Sequence, residues 1–512
     1  MNKLINKALL LEQLKRFWPI AAISMLGYLL FILQRLYFPS APVHHTRMSQ
    51  EMLELLAMMH PVTVVATVAI PFLTVLALFS YPYRTASAMA FHSFPINRSQ
   101  LFFTHVLTGL ILILGPFLIL CLVLLVPIRF VPFHFSRGAF TYFGRDRINN
   151  GDIINTLPRV MGFFLRSTLG FVTYFAIFIL AASIAGNRVI AIVLSAVIVF
   201  APMAIVGLGE IIASFYILGF GTYNFNLVET VAIYTNPVAW YAVFGGFGSW
   251  NRFALTRPLY PLFISYSAIA LTAFGLAFLA YRLRPQERAG DAVAFLPIKR
   301  MVIFLFALAG MVTMGIFWLR ASGSRFGLYS GFAVGFIIAY LIAQMLTEKT
   351  FRIGHKVEHL LSYGSVAVGM YVLLLIVANV GFRGYVRNVP QLREITGVIV
   401  EEFWMASRHE REEHFFVEDP ATIAWVHDIH QGIISESRYL RRARWSNPSL
   451  RPWSMHHISI IYRLESGEML RRSYMLTTDF FHRWNVHELT QSPPVILSFS
   501  PALARPEVIE FI

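Results

Sequence analysis

Nine times between residues 17 and 379 the chain runs for about twenty mostly apolar residues, and that repeat constrains the fold more than any other feature. A helix rises about 1.5 Å per residue, so a hydrocarbon core about 30 Å thick takes roughly 20 residues. The runs lie near 17–37, 61–80, 101–127, 160–185, 189–218, 259–281, 301–319, 327–346 and 359–379. A soluble chain of 512 residues cannot hide a composition that is 57% hydrophobic and only 13% charged. The class is therefore a polytopic membrane protein.

The formal net charge of +15 would suit a nucleic-acid partner in a soluble chain, but its placement argues against one. Residues 1–382 hold 27 of the 42 Lys and Arg and 11 of the 27 Asp and Glu; residues 383–512 are balanced. Basic residues flanking spans set their orientation. Lys3, Lys7, Lys15 and Arg16 put the N-terminus in the cytoplasm, and MNKLINKALLLEQLKRFW lacks a small-residue cleavage site, so it reads as a basic amphipathic lead-in. Alternation then puts Arg84 and Arg98, Arg188, the group Arg282, Arg284, Arg288, Lys299 and Arg300, and Lys349, Arg352 and Lys356 inside. An odd number of spans leaves the C-terminal residues extracytoplasmic. The single cysteine, Cys121, excludes an intrachain disulfide and any site built of several thiolates.

Two segments expected outside are longer than turns. Residues 129–158 are aromatic and basic and suit an interfacial lid, whereas 219–257 are apolar but broken by Asn236-Pro237 and glycines. Such a break predicts a re-entrant or interfacial piece, because lipid offers no partner to freed backbone groups. Past Gly381 the period changes. Glu394–Phe403 reads as a strand; Asp419-Pro420 is an N-cap followed by proline at the first helical position, with Ile423, Val426, His430 and Ile433 at helical spacing. Alternation over Ile458–Leu464, a Ser466-Gly467 turn and Met469–Leu476 make a hairpin, and Asp479–Leu489 a closing helix. The fold class is thus an all-α polytopic membrane protein of about nine transmembrane helices carrying a small α+β soluble domain at its C-terminus.

Ser80–Leu107 is the stretch that points to function. Pro82 ends the arriving helix, Ala86, Met89, Ala90 and Phe94 share a face of the next piece, and Pro95 breaks it. A short helix near 83–94, lying across the cytoplasmic membrane surface, is the expectation. Phe91-His92-Ser93-Phe94-Pro95-Ile96-Asn97-Arg98, between the second and third runs, resembles the LPISR-like segment of ABC-2 type transporter permeases, with Phe94 for Leu and Asn97 for Ser or Thr. Six runs with a broken piece between the fifth and sixth are similar to the core of that family. Three further runs and an outer domain with Ile461-Tyr462-Arg463-Leu464, Gly467 and Arg472-Ser473-Tyr474 resemble its long Gram-positive members, which end in an uncharacterised C-terminal domain.

The resemblance implies a six-span permease core over 1–282 with its coupling helix near 83–94, three added helices over 283–382 and an extracytoplasmic α+β domain over 383–512. It implies a non-enzymatic permease subunit in a bacterial cytoplasmic membrane, exporting an amphiphilic, lipid-like or peptide substrate and paired with a second permease subunit, identical or related. ATP and Mg would be bound by a separate ABC ATPase subunit, so no cofactor is expected on this chain, and no G-x-x-x-x-G-K-[ST] phosphate loop occurs in it. Arg84, His92, Pro95 and Arg98 would lie at the ATPase-coupling surface. Arg166 and Glu210 intrude on spans, where a central charge costs about 3 kcal/mol, and are expected either to pair or to snorkel at the outer end of a translocation path. A membrane sensor or assembly scaffold with an extracytoplasmic binding domain is the alternative.

Other histidines offer less. His409 and His414 flank a Glu-rich run but stand five apart, whereas a helical zinc motif needs four. His427 and His430 share a helix at i and i+3 without a nearby Cys or well-placed carboxylate, which favours packing over ligation.

Overall fold

The computed structural model describes residues 5–37, 61–83, 87, 96–130, 156–220, 227–239, 260–284, 295–322, 324–348, 350, 358–377, 380, 383–402, 416–437, 439–440, 455–490, 492 and 495. Each of the nine apolar runs coincides with a helix: α1 (Lys7–Tyr37), α2 (Pro61–Leu78), α3 (Arg98–Phe130), α4 (Thr156–Ile184), α5 (Arg188–Tyr216), α7 (Tyr260–Leu283), α8 (Leu296–Ser322), α9 (Arg325–Glu348) and α10 (Glu358–Ile376). Between α5 and α7 a short α6 (Leu227–Thr235) intervenes. Among the described residues seven helices are long and apolar enough to cross a membrane, as expected of a multi-pass membrane protein. At nine residues α6 is about 14 Å long and cannot do so.

The chain divides into two compact units, residues 1–204 with 229–300, and residues 205–228 with 301–512. The boundary falls inside α5, just past its internal Pro202, and the second unit takes the C-terminal part of that helix together with residues 301–512.

In the first unit α4 lies along α7 and α2, and α1 along α3. Lipid removes most of the hydrophobic drive between helices, so close packing must hold them. The core is a stack of large rings, with Phe117 between Tyr28 and Phe171, and Phe102 against Phe79 and Tyr281. Gly109 makes room for one of these rings: a Cβ there would stand 2.2 Å from Phe175 Cζ.

In the second unit α8 and α9 pack backbone to backbone. A Cβ on Gly335 would meet the Gly310 carbonyl oxygen at 2.4 Å, and one on Gly331 the Met314 carbonyl at 2.7 Å. Small residues recur on α9 at Gly327, Gly331, Gly335, Ala339 and Ala343, all buried, in the spacing that lets membrane helices approach closely.

The C-terminal part of this unit holds a three-stranded antiparallel sheet, β1 (Ile395–Glu402), β2 (Met455–Leu464) and β3 (Met469–Thr477), in the order β1-β2-β3. Gly467 turns the β2–β3 hairpin at φ +81°, a conformation that costs glycine nothing. Helix α12 (Pro420–Ser435), which follows α11 (Arg383–Arg387), covers one face. Its N-cap is Asp419, whose carboxylate accepts from Thr422 N at 2.9 Å and from the Thr422 hydroxyl at 2.7 Å, which holds the carboxyl below its ordinary value. Ile423, Val426, Ile429 and Ile433 pack onto Val398, Val400, Ile458 and Ile460. The expected closing helix is two, α13 (Thr478–Arg483) and α14 (Val486–Thr490). Asn485 at φ 48° parts them, and Trp484 is turned against Gly432 of α12.

Candidate functional site: a junction of helix ends

At one end of the first unit the chain turns through Tyr81-Pro82-Tyr83, a single 3₁₀ turn whose three side chains are buried. Pro82 has no N–H to bond the Leu78 carbonyl at the end of α2, and residues 84–95, the stretch singled out for coupling, follow the turn. Apart from Tyr83 and Ser87, the expected helix over 83–94 lies outside the described residues, and so do Arg84, His92 and Pro95. Arg98 is described, as the first residue of α3.

A helix C-terminus leaves its last carbonyls without donors and carries partial negative charge. Two arginines answer that need here. Arg98 Nη1 donates to the carbonyls of Arg282 (3.0 Å) and Arg284 (3.3 Å), at and just beyond the end of α7. Arg284, only 7% exposed, reaches on to the end of α4. Its Nη1 donates to the carbonyls of Ala182 (3.3 Å) and Ser183 (3.4 Å), its Nη2 to the Pro82 carbonyl (3.2 Å), and the guanidinium lies 5.7 Å from the centre of the Tyr83 ring. Burial lowers the Arg284 guanidinium from its ordinary value, but arginine stays charged in proteins. The Tyr83 hydroxyl adds a bond to Ala182 O at 3.3 Å, and the Tyr81 and Tyr281 hydroxyls bond to each other. Thus the turn after α2, the start of α3 and the ends of α4 and α7 are joined by charge-assisted hydrogen bonds, the stronger kind.

The first turns of α1 belong to the same junction. His105 Nδ1 lies 2.7 Å from Leu101 O, which only accepts, so Nδ1 carries the proton and Nε2 accepts from the Gln13 amide at 3.0 Å. Gln13 Oε1 in turn accepts from the Thr108 hydroxyl at 2.8 Å. Asn6 N donates to Thr104 Oγ1, and the His105 ring lies 5.2 Å from Tyr81. The amphipathic lead-in is therefore continuous with the first apolar helix and packs through a buried glutamine.

Arg166 sits half-buried in α4 of the first unit, and Glu210 is buried in the part of α5 that belongs to the second. Glu210 Oε1 accepts from Leu227 N at 2.9 Å, an acceptor at the start of α6, where the helix dipole favours negative charge. The break after α6 is satisfied within the first unit: Tyr174 donates to Asn236 Oδ1, Val238 N lies 2.9 Å from the Tyr174 hydroxyl, and the Tyr266 hydroxyl donates to Ile233 O.

His427 and His430 do not converge. His427 Nε2 lies 3.1 Å from Pro390 O, whereas His430 is fully buried with Nδ1 at 3.1 Å from the Tyr462 hydroxyl and Nε2 at 2.6 Å from that of Tyr474. His409 and His414 lie outside the described residues. Among the described residues no group of three His, Cys, Asp or Glu could hold a metal ion. No family model, curated protein or solved structure matches the chain.

Arg284 is the residue that sequence reasoning passed over, taking it as one more orienting charge. Its position, an arginine directly after an apolar run that ends a helix, is the signal for a cation placed over helix-terminal carbonyls.

Proposed function

We propose that this chain is the permease subunit of an ATP-driven transporter of the ABC-2 type, exporting an amphiphilic, lipid-like or peptide substrate from a bacterial cytoplasmic membrane. The observation that carries the reading is the Arg98–Arg284 junction. A separate ATPase pressing on residues 84–95 would act on a segment whose two flanks, Pro82 and Arg98, are tied to the ends of α4 and α7. The push then reaches several helices together instead of bending one loop. A second permease subunit would complete the path, and Glu210 and Arg166 are the charged residues closest in kind to a path lining. With the N-terminus in the cytoplasm, alternation of the spans puts the junction inside and the C-terminal domain outside.

A site-specific photo-crosslinker at Ser87 in intact cells tests this directly. The expected product is a covalent adduct with a chain carrying a nucleotide-binding loop, copurifying in fixed stoichiometry. Recovery of the purified chain with no such subunit, or labelling of residue 87 by an impermeant reagent added outside, would overturn the assignment and leave the sensor or scaffold reading.

A further inference from the structure

We infer that the C-terminal domain is a rigid extension of the C-terminal part of α5, held by the five-residue tail Tyr216–Phe220, which makes the domain a reporter of that helix's motion. No separate linker intervenes on this path. Leu218 packs into the domain's own core, beside the sheet. Gly219 O accepts twice, from Ser473 N at 3.1 Å and from the Tyr385 hydroxyl at 3.2 Å. The first of these lies on the side of β3 that faces away from β2, so the tail pairs with that edge at Ser473. The opposite edge is closed by a two-way bridge between Val398 and Val417.

The tail's conformation is specified closely. Gly219 has φ +82°, and a Cβ there would stand 3.0 Å from the Tyr474 ring and 3.1 Å from its hydroxyl, the one that bonds His430. Any other residue is both strained and crowded. Arg472, 4% exposed, backs the joint: its guanidinium stacks 3.8 Å from the Tyr385 ring centre and donates to Tyr385 O, while Phe220 also meets that ring. One turn back, the Tyr216 hydroxyl bonds that of Tyr371 on α10, which packs edge-on against Phe332 of α9. The end of α5 is therefore held to the added helices through Tyr216, and the residues directly after it are held to the sheet. Pro202 and the unit boundary after Ala204 lie just inward, where a proline removes a helical hydrogen bond and permits bending.

The test uses the full chain in nanodiscs, with Cys121→Ser as background and spin labels at Gly209→Cys on α5 and Asp428→Cys on α12. A single narrow distance distribution is expected, broadening at least twofold in Gly219→Val and by a smaller, measurable amount in Tyr385→Phe, which keeps the ring and loses one bond. Far-ultraviolet circular dichroism and monodisperse elution check that each variant folds; if Gly219→Val does not, Tyr385→Phe decides. A broad distribution in the parent, or unchanged widths in the folded variants, overturns the inference. Neither result bears on whether an ATPase drives the chain.

Discussion

The junction in the first unit and the α8–α9 pair in the second solve one problem in opposite ways. Both must hold helices together where burying apolar surface brings little, since lipid is as apolar as leucine. The α8–α9 pair removes side chains, so that backbones touch along several turns at Gly310, Gly331 and Gly335. The junction concentrates long polar side chains at helix termini, where carbonyls want donors, and leaves the spans to aromatic packing. The first solution spreads close backbone contact along the two helices. The second ties the helix ends by hydrogen bonds and leaves the rest of the contact to the packing of rings.

The comparison breaks most readily at the glycines. Gly335→Leu would drive a side chain into the Gly310 carbonyl, and the pair would separate or the backbone shift, costing about 3 kcal/mol. Unfolding in mixed micelles followed by proteolysis between α8 and α9 measures the loss, and Gly335→Ala should fall between it and the parent. At the junction, Arg284→Gln removes donors from three buried carbonyls and costs about 2–3 kcal/mol. Arg284→Lys should recover only part of that, because an ammonium cannot reach both the α4 end and Pro82 in the planar fork that guanidinium offers. Equal stability of Arg284→Gln and the parent would mean that the helix ends hold without the charge.

The domain in the second unit uses a third device, a neutral imidazole kept dry. Burial pushes His430 down to about 3, with Arg472 and then His427 adding to the effect, while Tyr462 and Tyr474 face its two nitrogens. The unfolded chain takes up a proton near the ordinary histidine value of about 6.5, and the folded domain does not until about 3. Its stabilising effect is therefore complete above about 6.5 and is lost as pH falls toward 3. Between pH 7 and pH 5 the domain should lose about 2 kcal/mol, a slope approaching 1.4 kcal/mol per pH unit. Hydrogen exchange of β2 and β3 in the full chain reads it, and His430→Gln should flatten the dependence.

Much of this was legible in residues alone because it follows from local rules. Twenty-residue apolar runs found their helices, Asp419-Pro420 its cap, and Ser466-Gly467 its turn. What escaped depends on partners far along the chain. For Glu210 the sequence leaves open a pair with Arg166 or snorkelling, and it does not show that the carboxylate takes the amide of Leu227, whose helix start no periodicity marks. Gln13 belongs to the amphipathic lead-in, and its partner, His105, stands 92 residues further on. Asp479–Leu489 carries an unbroken helical pattern, and only the packing of Trp484 on Gly432 puts Asn485 in a left-handed kink. The four-residue spacing of Gly327, Gly331 and Gly335 was in plain view, but spacing shows only that close approach is permitted, not which helix makes it.

The smallest effect expected at the junction is also the one that separates folding from function. Arg98 is more exposed than Arg284 and donates to carbonyls at the end of α7 that water can also reach. Its loss should therefore cost about 1 kcal/mol, and Arg98→Gln should insert and pack much as the parent does. If the residue serves only the end of α7, transport and ATPase copurification fall no further than stability does, and Arg98→Lys restores both. If residues 84–95 receive the push of a partner ATPase, Arg98 is where that push enters α3 and passes to α7. Arg98→Gln should then keep ATPase binding and lose transport several-fold at temperatures where the variant is fully folded. That split between retained binding and lost turnover cannot come from a helix cap alone. Because Arg284→Gln loosens the same junction deeper in, it should show the split more strongly at matched fraction folded, whereas Gly335→Ala should show none.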